Sequence, residues 1–402
     1  MTREEVYNKC LNYINKNPCL LIEAATGFGK SKLAIDMVNH LILNLLTKSH
    51  TFKVVKVLLL VAKRVHKQTW EDEIKKWGGI ANARITMECY ESLKKHVGES
   101  FDIILMDEVH HIGSETRLEM LSSISYQYMI GLSATIPRNL KKEFKTYYNA
   151  WVVSCDITEA IEDKVLPEPE ILLFPLLLDN KVPTETLEIN PKAKGPVVKA
   201  EYKDYWKYKK SKTHAIISCT QRQYLNEMNA LIAWEKNKFM RTRNKTMEFK
   251  WLNSCGRRLE YLANCKNDLI LSLLAHLKEQ RTITFCKTIE QAEVLGSNCI
   301  HSQNKDAEKL YDDFNKKKLN HITAVNILNE NANLVDCKYA VFANLSSSEV
   351  VIPQRLGRAM RHKHPVIIVP YYIATREQEI VEKMFAGYNK DFIKTISSIE
   401  EV

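Results

Sequence analysis

The sequence predicts an α/β chain made of two parallel-sheet lobes with a basic helical insertion. Three observations predict it. The stretch Leu20 to Leu33 (LLIEAATGFGKSKL) reads strand, tight small-residue loop, helix start. Lys56 to Ala62 (KVLLLVA) and Phe101 to Met106 (FDIILM) are nearly continuous apolar runs, the pattern of strands covered by helices on both faces. From Asn267 onward a second alternation of strand and helix patterns begins.

The 402 residues suffice for about two to three domains of roughly 150 residues each. With 26% charged residues and no apolar run near the ~18 that suggest a membrane span, a soluble chain with no membrane partner is expected. The opening MTREEVYNKC lacks the apolar core of a signal peptide. Ten cysteines are scattered with no C-x2-C pair, which predicts a reduced, cytoplasmic setting and no zinc. The net charge of +10 is concentrated: Lys192 to Lys266 holds 18 Lys+Arg and 6 Asp+Glu, so this segment carries +12 and the remainder −2.

Thr2 to Lys16 reads as an amphipathic helix leading into the strand at Leu20 to Ile22. In the loop that follows, Thr26, Gly27, Phe28 and Gly29 precede Lys30 and Ser31, which open a helix. Backbone N–H groups at such a helix start face anionic oxygens, a Lys ammonium reaches outer phosphates, and a Ser hydroxyl can hold Mg²⁺. Ala24 stands where the strict G-x4-GK[ST] pattern has its first glycine. Helix Lys67 to Trp77 and a strand at Arg84 to Met87 come next. The strand Phe101 to Met106 delivers Asp107-Glu108-Val109-His110 at its carboxyl end, where ligands of open α/β sheets bind. Nucleotide hydrolysis needs one carboxylate on Mg²⁺ and another to orient or deprotonate water; Asp107 suits the first role and Glu108 the second. Tyr128 to Leu132 leads into Ser133-Ala134-Thr135, a polar turn able to hydrogen-bond back toward the acidic pair.

AATGFGKS, DEVHH, SAT and the downstream QRLGRAMR together resemble the superfamily 2 helicases and translocases of the DExH type. LLLVAKRVHKQTWEDEIKKW resembles that family's first nucleic-acid-contact region, which implies contacts from Lys63 and Arg64. RTITFCKTIEQAEVL and IHSQNKDAEKLYDDF resemble the start of its second motor domain. The likeness spans about residues 20 to 165 and 268 to 375 in the family's order. It implies two RecA-like lobes, ATP and Mg²⁺ as ligands, and nucleic acid as partner. LNENANL, at Leu328 to Leu334, stands where members have an E-G-x-D-like string; Glu330 matches, while Asn331 and Asn333 depart. Arg358 and Arg361, three apart on one helix face, suit stabilisation of charge on the transferred phosphoryl group, and Gln354 resembles the family's γ-phosphate sensor. Since these come from the second lobe, the site is complete only when the lobes close.

The domains expected are a first lobe at 1–165, a second lobe at 166–390 with a basic helical insertion at about 192–266, and a short tail at 391–402. Val165 to Pro169 is the hinge. The insertion combines its charge with Tyr202, Tyr205, Trp206, Trp234, Phe249 and other aromatics. Either these touch nucleic acid, with Lys209, Lys210, Arg257 and Arg258 on phosphates, or the aromatics form a small core beneath solvated lysines. The expected function is an ATP-dependent helicase or translocase acting as a monomer, on DNA rather than RNA. The DExHH-like box and compact size resemble DNA unwinding and branch-migrating motors, including phage ones, which would place it in a host cytoplasm. Two alternatives stand beside this: an RNA motor of the same superfamily, or an ATP-switch subunit of a repair or restriction complex with little turnover alone.

Overall fold

Thr2 starts the first helix by a reciprocal cap. Its hydroxyl accepts the Glu5 N–H (3.3 Å) and the Glu5 carboxylate accepts the Thr2 N–H (2.7 Å), opening α1 (Arg3–Ile14). The computed structural model describes residues 1–49, 54–325, 334–346, 355–357 and 362–402. After α1 come β1 (Cys19–Ala24), α2 (Lys30–Ser49), β2 (Val55–Val61), α3 (Arg64–Lys76), β3 (Ala83–Cys89) and β4 (Ile103–Asp107). The first lobe continues with α4 (Glu115–Ser122), β5 (Tyr128–Ser133), α5 (Arg138–Tyr148), β6 (Trp151–Cys155) and α6 (Ile157–Glu162).

These strands form one parallel sheet in the order β3-β2-β4-β5-β1-β6. Helices cover both faces, so β2 and β4 bury nearly every residue, as their unbroken apolar runs predict. Pairing aligns Glu23 with Ser133 and Asp107 with Leu132. The phosphate-loop strand, the SAT strand and the acidic-box strand are therefore adjacent and end level with one another.

The second lobe opens with β7 (Glu170–Leu176). An accessory unit follows: β8 (Glu185–Ile189), β9 (Val198–Glu201), α7 (Tyr205–Lys209), β10 (Ala215–Cys219), α8 (Gln221–Thr242) and α9 (Lys245–Asn264). The lobe resumes with α10 (Asn267–His276), β11 (Thr282–Phe285), α11 (Ile289–Leu295), β12 (Cys299–Ile300), α12 (Ala307–Asn315), β13 (His321–Ala324) and β14 (Tyr339–Phe342). It closes with β15 (Val366–Tyr372), α13 (Arg376–Met384) and β16 (Ile393–Thr395). Its sheet is also parallel, in the order β12-β13-β11-β14-β15-β7-β16.

Two expectations are corrected. The insertion is not wholly helical: β8, β9 and β10 form a small sheet in the order β8-β10-β9, so the accessory unit begins before residue 192. Its strands alternate between covered and open positions, a period of two that the surrounding lysines hide. Nor is 391–402 a detached tail, because β16 pairs in parallel with β7 and Ile396 is buried.

Besides the connection between α6 and β7, the lobes touch at a second place. The segment Phe385–Tyr388 of the second lobe lies on α6 of the first: a Cβ on Gly387 would stand 3.7 Å from Thr158 Oγ1, and Tyr388 is buried beside Asp156. A buried Lys266–Glu377 pair (2.6 Å) joins the end of α9 to α13. Lys266 also donates to the Pro370 carbonyl (3.1 Å), and Glu377 accepts the Tyr372 N–H (3.0 Å), so neither charge lacks partners.

Candidate nucleotide site

Gly27 and Gly29 have φ of +93° and +97°, a region costly for residues with a Cβ, and this lets the loop after β1 fold back over its own amides. Ala24, the departure from the strict glycine pattern, is instead the last residue of β1 and needs no such freedom. Ala25 N–H bonds the Cys155 carbonyl (3.1 Å), which ties the loop to β6. Lys30 Nζ donates to the Ala24 carbonyl (3.0 Å) at the mouth of the loop. Phe28 offers only backbone, since its ring is buried and its carbonyl accepts Arg3 Nε (2.7 Å).

Asp107 and Glu108 stand at the end of β4, both buried. Trp70 Nε1 on α3 donates to Asp107 Oδ2 (2.8 Å), and Tyr90 OH donates to the Asp107 carbonyl (2.7 Å). Burial first, and the Glu108 charge second, push the Asp107 carboxyl up to about 6, while the Trp70 N–H and Lys30 ammonium oppose them. Glu108 is left-handed (φ 50°, ψ 57°), a local strain that turns its carboxylate off the strand direction. Ser133 Oγ then lies 3.1 Å from Glu108 Oε2, and His110 Nδ1 lies 3.0 Å from Ser133 Oγ and 3.4 Å from the same carboxylate. The SAT turn does reach back to the acidic pair. Glu23, the neighbour of Ser133 in the sheet, accepts the Ile136 N–H (2.7 Å) and the Lys141 ammonium (2.6 Å), which fixes the chain beyond SAT.

Thr26, Gly27, Phe28, Gly29, Lys30, Ser31, Asp107 and Glu108 line one cleft of about 740 Å³. Arg3, Tyr7, Trp70 and Trp77 line it too, and sequence reasoning passed over all four. Trp70 and Trp77 are seven apart on one helix stripe, which was the available signal. The donor set fits a hard divalent cation: a Ser hydroxyl and a carboxylate whose partners do not balance two adjacent buried negative charges.

The second lobe meets this cleft. Arg355–Gly357 are helical, and a Cβ on Gly357 would overlap Thr26 Cβ and lie 3.0 Å from its Cγ2 and carbonyl oxygen. Arg355 is 2% exposed, donates to the Asn344 carbonyl (3.0 Å) and faces the Phe285 ring at 5.2 Å. It anchors this helix to the ends of β11 and β14. Gln354, Arg358, Arg361 and Glu330 lie outside the described residues.

The residues expected to touch nucleic acid are spread out. Lys63, at the start of α3, faces Thr288–Glu290, His301 and Ser302 of the second lobe across a cleft of about 450 Å³, and Arg64 beside it is exposed. Lys209 is committed to an ion pair with Glu227 (3.2 Å), and Tyr205 binds the same carboxylate. Arg258 is half-buried and donates to Asn229 (2.8 Å) between α9 and α8. Lys210 and Arg257 are exposed. Lys209 and Arg258 therefore hold the accessory unit together, because each found a partner inside it.

A phosphate loop, an acidic pair and a helix from a second parallel-sheet lobe, meeting at one cleft, define a two-lobed P-loop nucleoside triphosphatase. Residues 2–138 match the family model "Type III restriction enzyme, res subunit", and residues 265–363 match "Helicase conserved C-terminal domain". The chain belongs to superfamily 2 of the helicases and translocases, a family of ATP-hydrolysing enzymes that act on nucleic acid. It is 21% identical over 369 residues to "DNA 3'-5' translocase XPB2" of Sulfurisphaera tokodaii, covering 85% of this chain and 75% of that one. A match of 23% over 172 residues, 39% of this chain and 34% of the other, is to the Escherichia phage T5 protein "Probable helicase D10". In fold it is similar to S. cerevisiae Dbp5 bound to RNA and ADP BeF3, with a TM-score of 0.58, 12% identity, and 99% and 91% of the two chains covered. No helix among the described residues is long and apolar enough to cross a membrane.

Proposed function

We propose that the chain is an ATP-driven DNA translocase or helicase that remodels forked or branched duplexes. The observation that carries this reading is the contact of Gly357 with Thr26, which brings the helix leading to Arg358 and Arg361 onto the phosphate loop. In this reading the loop amides of Gly27 to Gly29 and the Lys30 ammonium hold the β- and γ-phosphates. Ser31 and Asp107 hold Mg²⁺, which bridges those phosphates and neutralises developing charge. Glu108, held by Ser133 and His110, takes a proton from the attacking water as its oxygen bonds to the γ-phosphorus and the bond to ADP breaks. Gln354 senses the γ-phosphate, Arg358 and Arg361 stabilise the equatorial oxygens, and Glu330 assists nucleotide binding. Because these groups come from the other lobe, each cycle couples hydrolysis to lobe movement. Lys63 and Arg64 lie along the inter-lobe cleft as backbone contacts. Lys210 and Arg257, exposed and without the partners that Lys209 and Arg258 have, are the accessory unit's contacts among those four. DNA rather than RNA is supported by the archaeal relative, a named DNA translocase aligned over most of this chain.

Steady-state ATPase assays test the proposal with the chain alone and with single-stranded DNA, forked or four-way DNA, and single-stranded RNA, using Lys30→Ala as control. DNA stimulation that disappears in the control is expected. Stimulation by RNA alone would transfer the motor to RNA. Measurable ATP binding with no stimulation by any nucleic acid would refute the motor in favour of a switch.

A further inference from the structure

The far end of the α8–α9 hairpin has a composition unlike the rest of the molecule. Lys236 to Lys250 holds six Lys+Arg and one Glu, a net +5 in this short stretch. Lys236, Lys238, Arg241, Arg243, Lys245 and Lys250 are all exposed, and none of them is in an ion pair among the described residues. Lys209 of the same unit has Glu227, and Lys266 has Glu377; the tip cations have only water. Exposed rings accompany them. Trp234 is 56% and Phe249 65% exposed, and Lys238 lies 4.9 Å above the Trp234 ring. Inside, Phe239 stacks on Trp251 at 5.8 Å and Met247 is buried, so the end is a formed structure despite its charge.

The hairpin also has a firm root. Besides the Lys266–Glu377 pair, Tyr372 OH donates to the Cys265 carbonyl (2.9 Å), and Arg222 donates to the Ala374 carbonyl (3.2 Å). The 22 residues of α8 span about 33 Å at 1.5 Å per residue. A cationic head thus stands on a long arm fixed to β15 and α13, and it travels with the second lobe.

We infer that this head is a duplex-binding contact, separate from the inter-lobe cleft, which grips the phosphate backbone of double-stranded nucleic acid beside the motor. The inference rests on the motor reading for its role but not for its binding. The occupant follows from charge and shape. Uncompensated cations match phosphates, and a convex two-helix end fits a wide groove or straddles a backbone. A single strand is instead held in a groove that tracks its backbone.

The test uses the full chain and two variants, R241E/R243E/K245E and the milder R241Q/R243Q/K245Q, checked for unchanged thermal melting. Binding to a blunt duplex of about 20 base pairs is measured by fluorescence anisotropy across salt concentrations without ATP. Hydrolysis stimulated by a short single strand is measured in parallel. Loss of three phosphate contacts should lower the slope of log affinity against log salt by about 3 and weaken duplex binding roughly tenfold or more, more in the glutamate variant. Single-strand-stimulated hydrolysis should stay within about twofold of the parent. Unchanged duplex affinity and slope would overturn the inference, as would equal loss of single-strand stimulation. Slope loss in a chain that shows no DNA-stimulated hydrolysis would support the inference while refuting the motor.

Discussion

Gly357→Ala adds one methyl group where the two lobes touch. The new Cβ would overlap Thr26 Cβ and sit 3.0 Å from both Thr26 Cγ2 and the Thr26 carbonyl oxygen, whereas carbon atoms settle at about 3.5–4.0 Å. Relief requires the Arg355 helix or the phosphate loop to retreat by roughly 1 Å. Neither yields cheaply: Arg355 is buried in its bond to Asn344, and the loop is tied to Cys155. Overpacking of this kind costs about 1–3 kcal/mol, taken here from the closed arrangement of the lobes. A displacement of about 1 Å in a catalytic group can cost roughly 100-fold in rate. We therefore expect kcat for nucleic-acid-stimulated ATP hydrolysis to fall by one to two orders of magnitude, with ATP binding changed little because the first lobe is intact. Thr26→Gly, which removes the opposing Cβ, should restore part of the loss when combined with Gly357→Ala. Single-turnover hydrolysis beside equilibrium binding of a fluorescent nucleotide separates the two effects. A kcat within twofold of the parent would refute the claim that this contact sets the arginine helix.

Lys30→Ala and Glu108→Gln should abolish turnover while leaving the melting temperature within a few degrees, read by calorimetry; full activity in either would refute the site. Burial holds His321 down at about 4, beside Thr284, so its contribution to stability is present above pH 6.5 and is lost as pH falls toward 4. That window is worth about 3 kcal/mol, and His321→Gln should flatten the acid limb of a stability profile measured by urea titration. Lys266→Met alone should cost about 3–5 kcal/mol by stranding Glu377, whereas Lys266→Met with Glu377→Leu should cost much less; equal costs would refute the pairing.

The first lobe was legible because its chemistry sits at strand ends. Continuous apolar runs gave β2 and β4, and the residues just beyond β1, β4 and β5 are those that converge. What escaped was what arrives from elsewhere in the chain. Trp70 reaches Asp107 across 37 positions, and nothing in a tryptophan on an amphipathic helix announces which carboxylate it will meet. Arg3 likewise meets Phe28 only after α1 folds over the loop. β16 is three residues long and pairs with a strand early in the lobe, too short for a pattern of its own. In the accessory unit the basic composition was read correctly, but it says nothing about which cations are spent on internal partners. Lys209 and Arg258 differ from Arg241 and Arg243 by their neighbours alone.

Two attachment points between the lobes, the chain connection after α6 and the seat of Phe385–Tyr388 on α6, have a mechanical meaning. A body held at one point can swivel in any direction, whereas one held at two can only swing about the line that joins them. Opening is thereby reduced to a single angle, as in a door, and the latch side is the seam where Gly357 meets Thr26. Thermal energy that would go into twisting the lobes is excluded, and the cycle of nucleotide binding and release is read out along one coordinate.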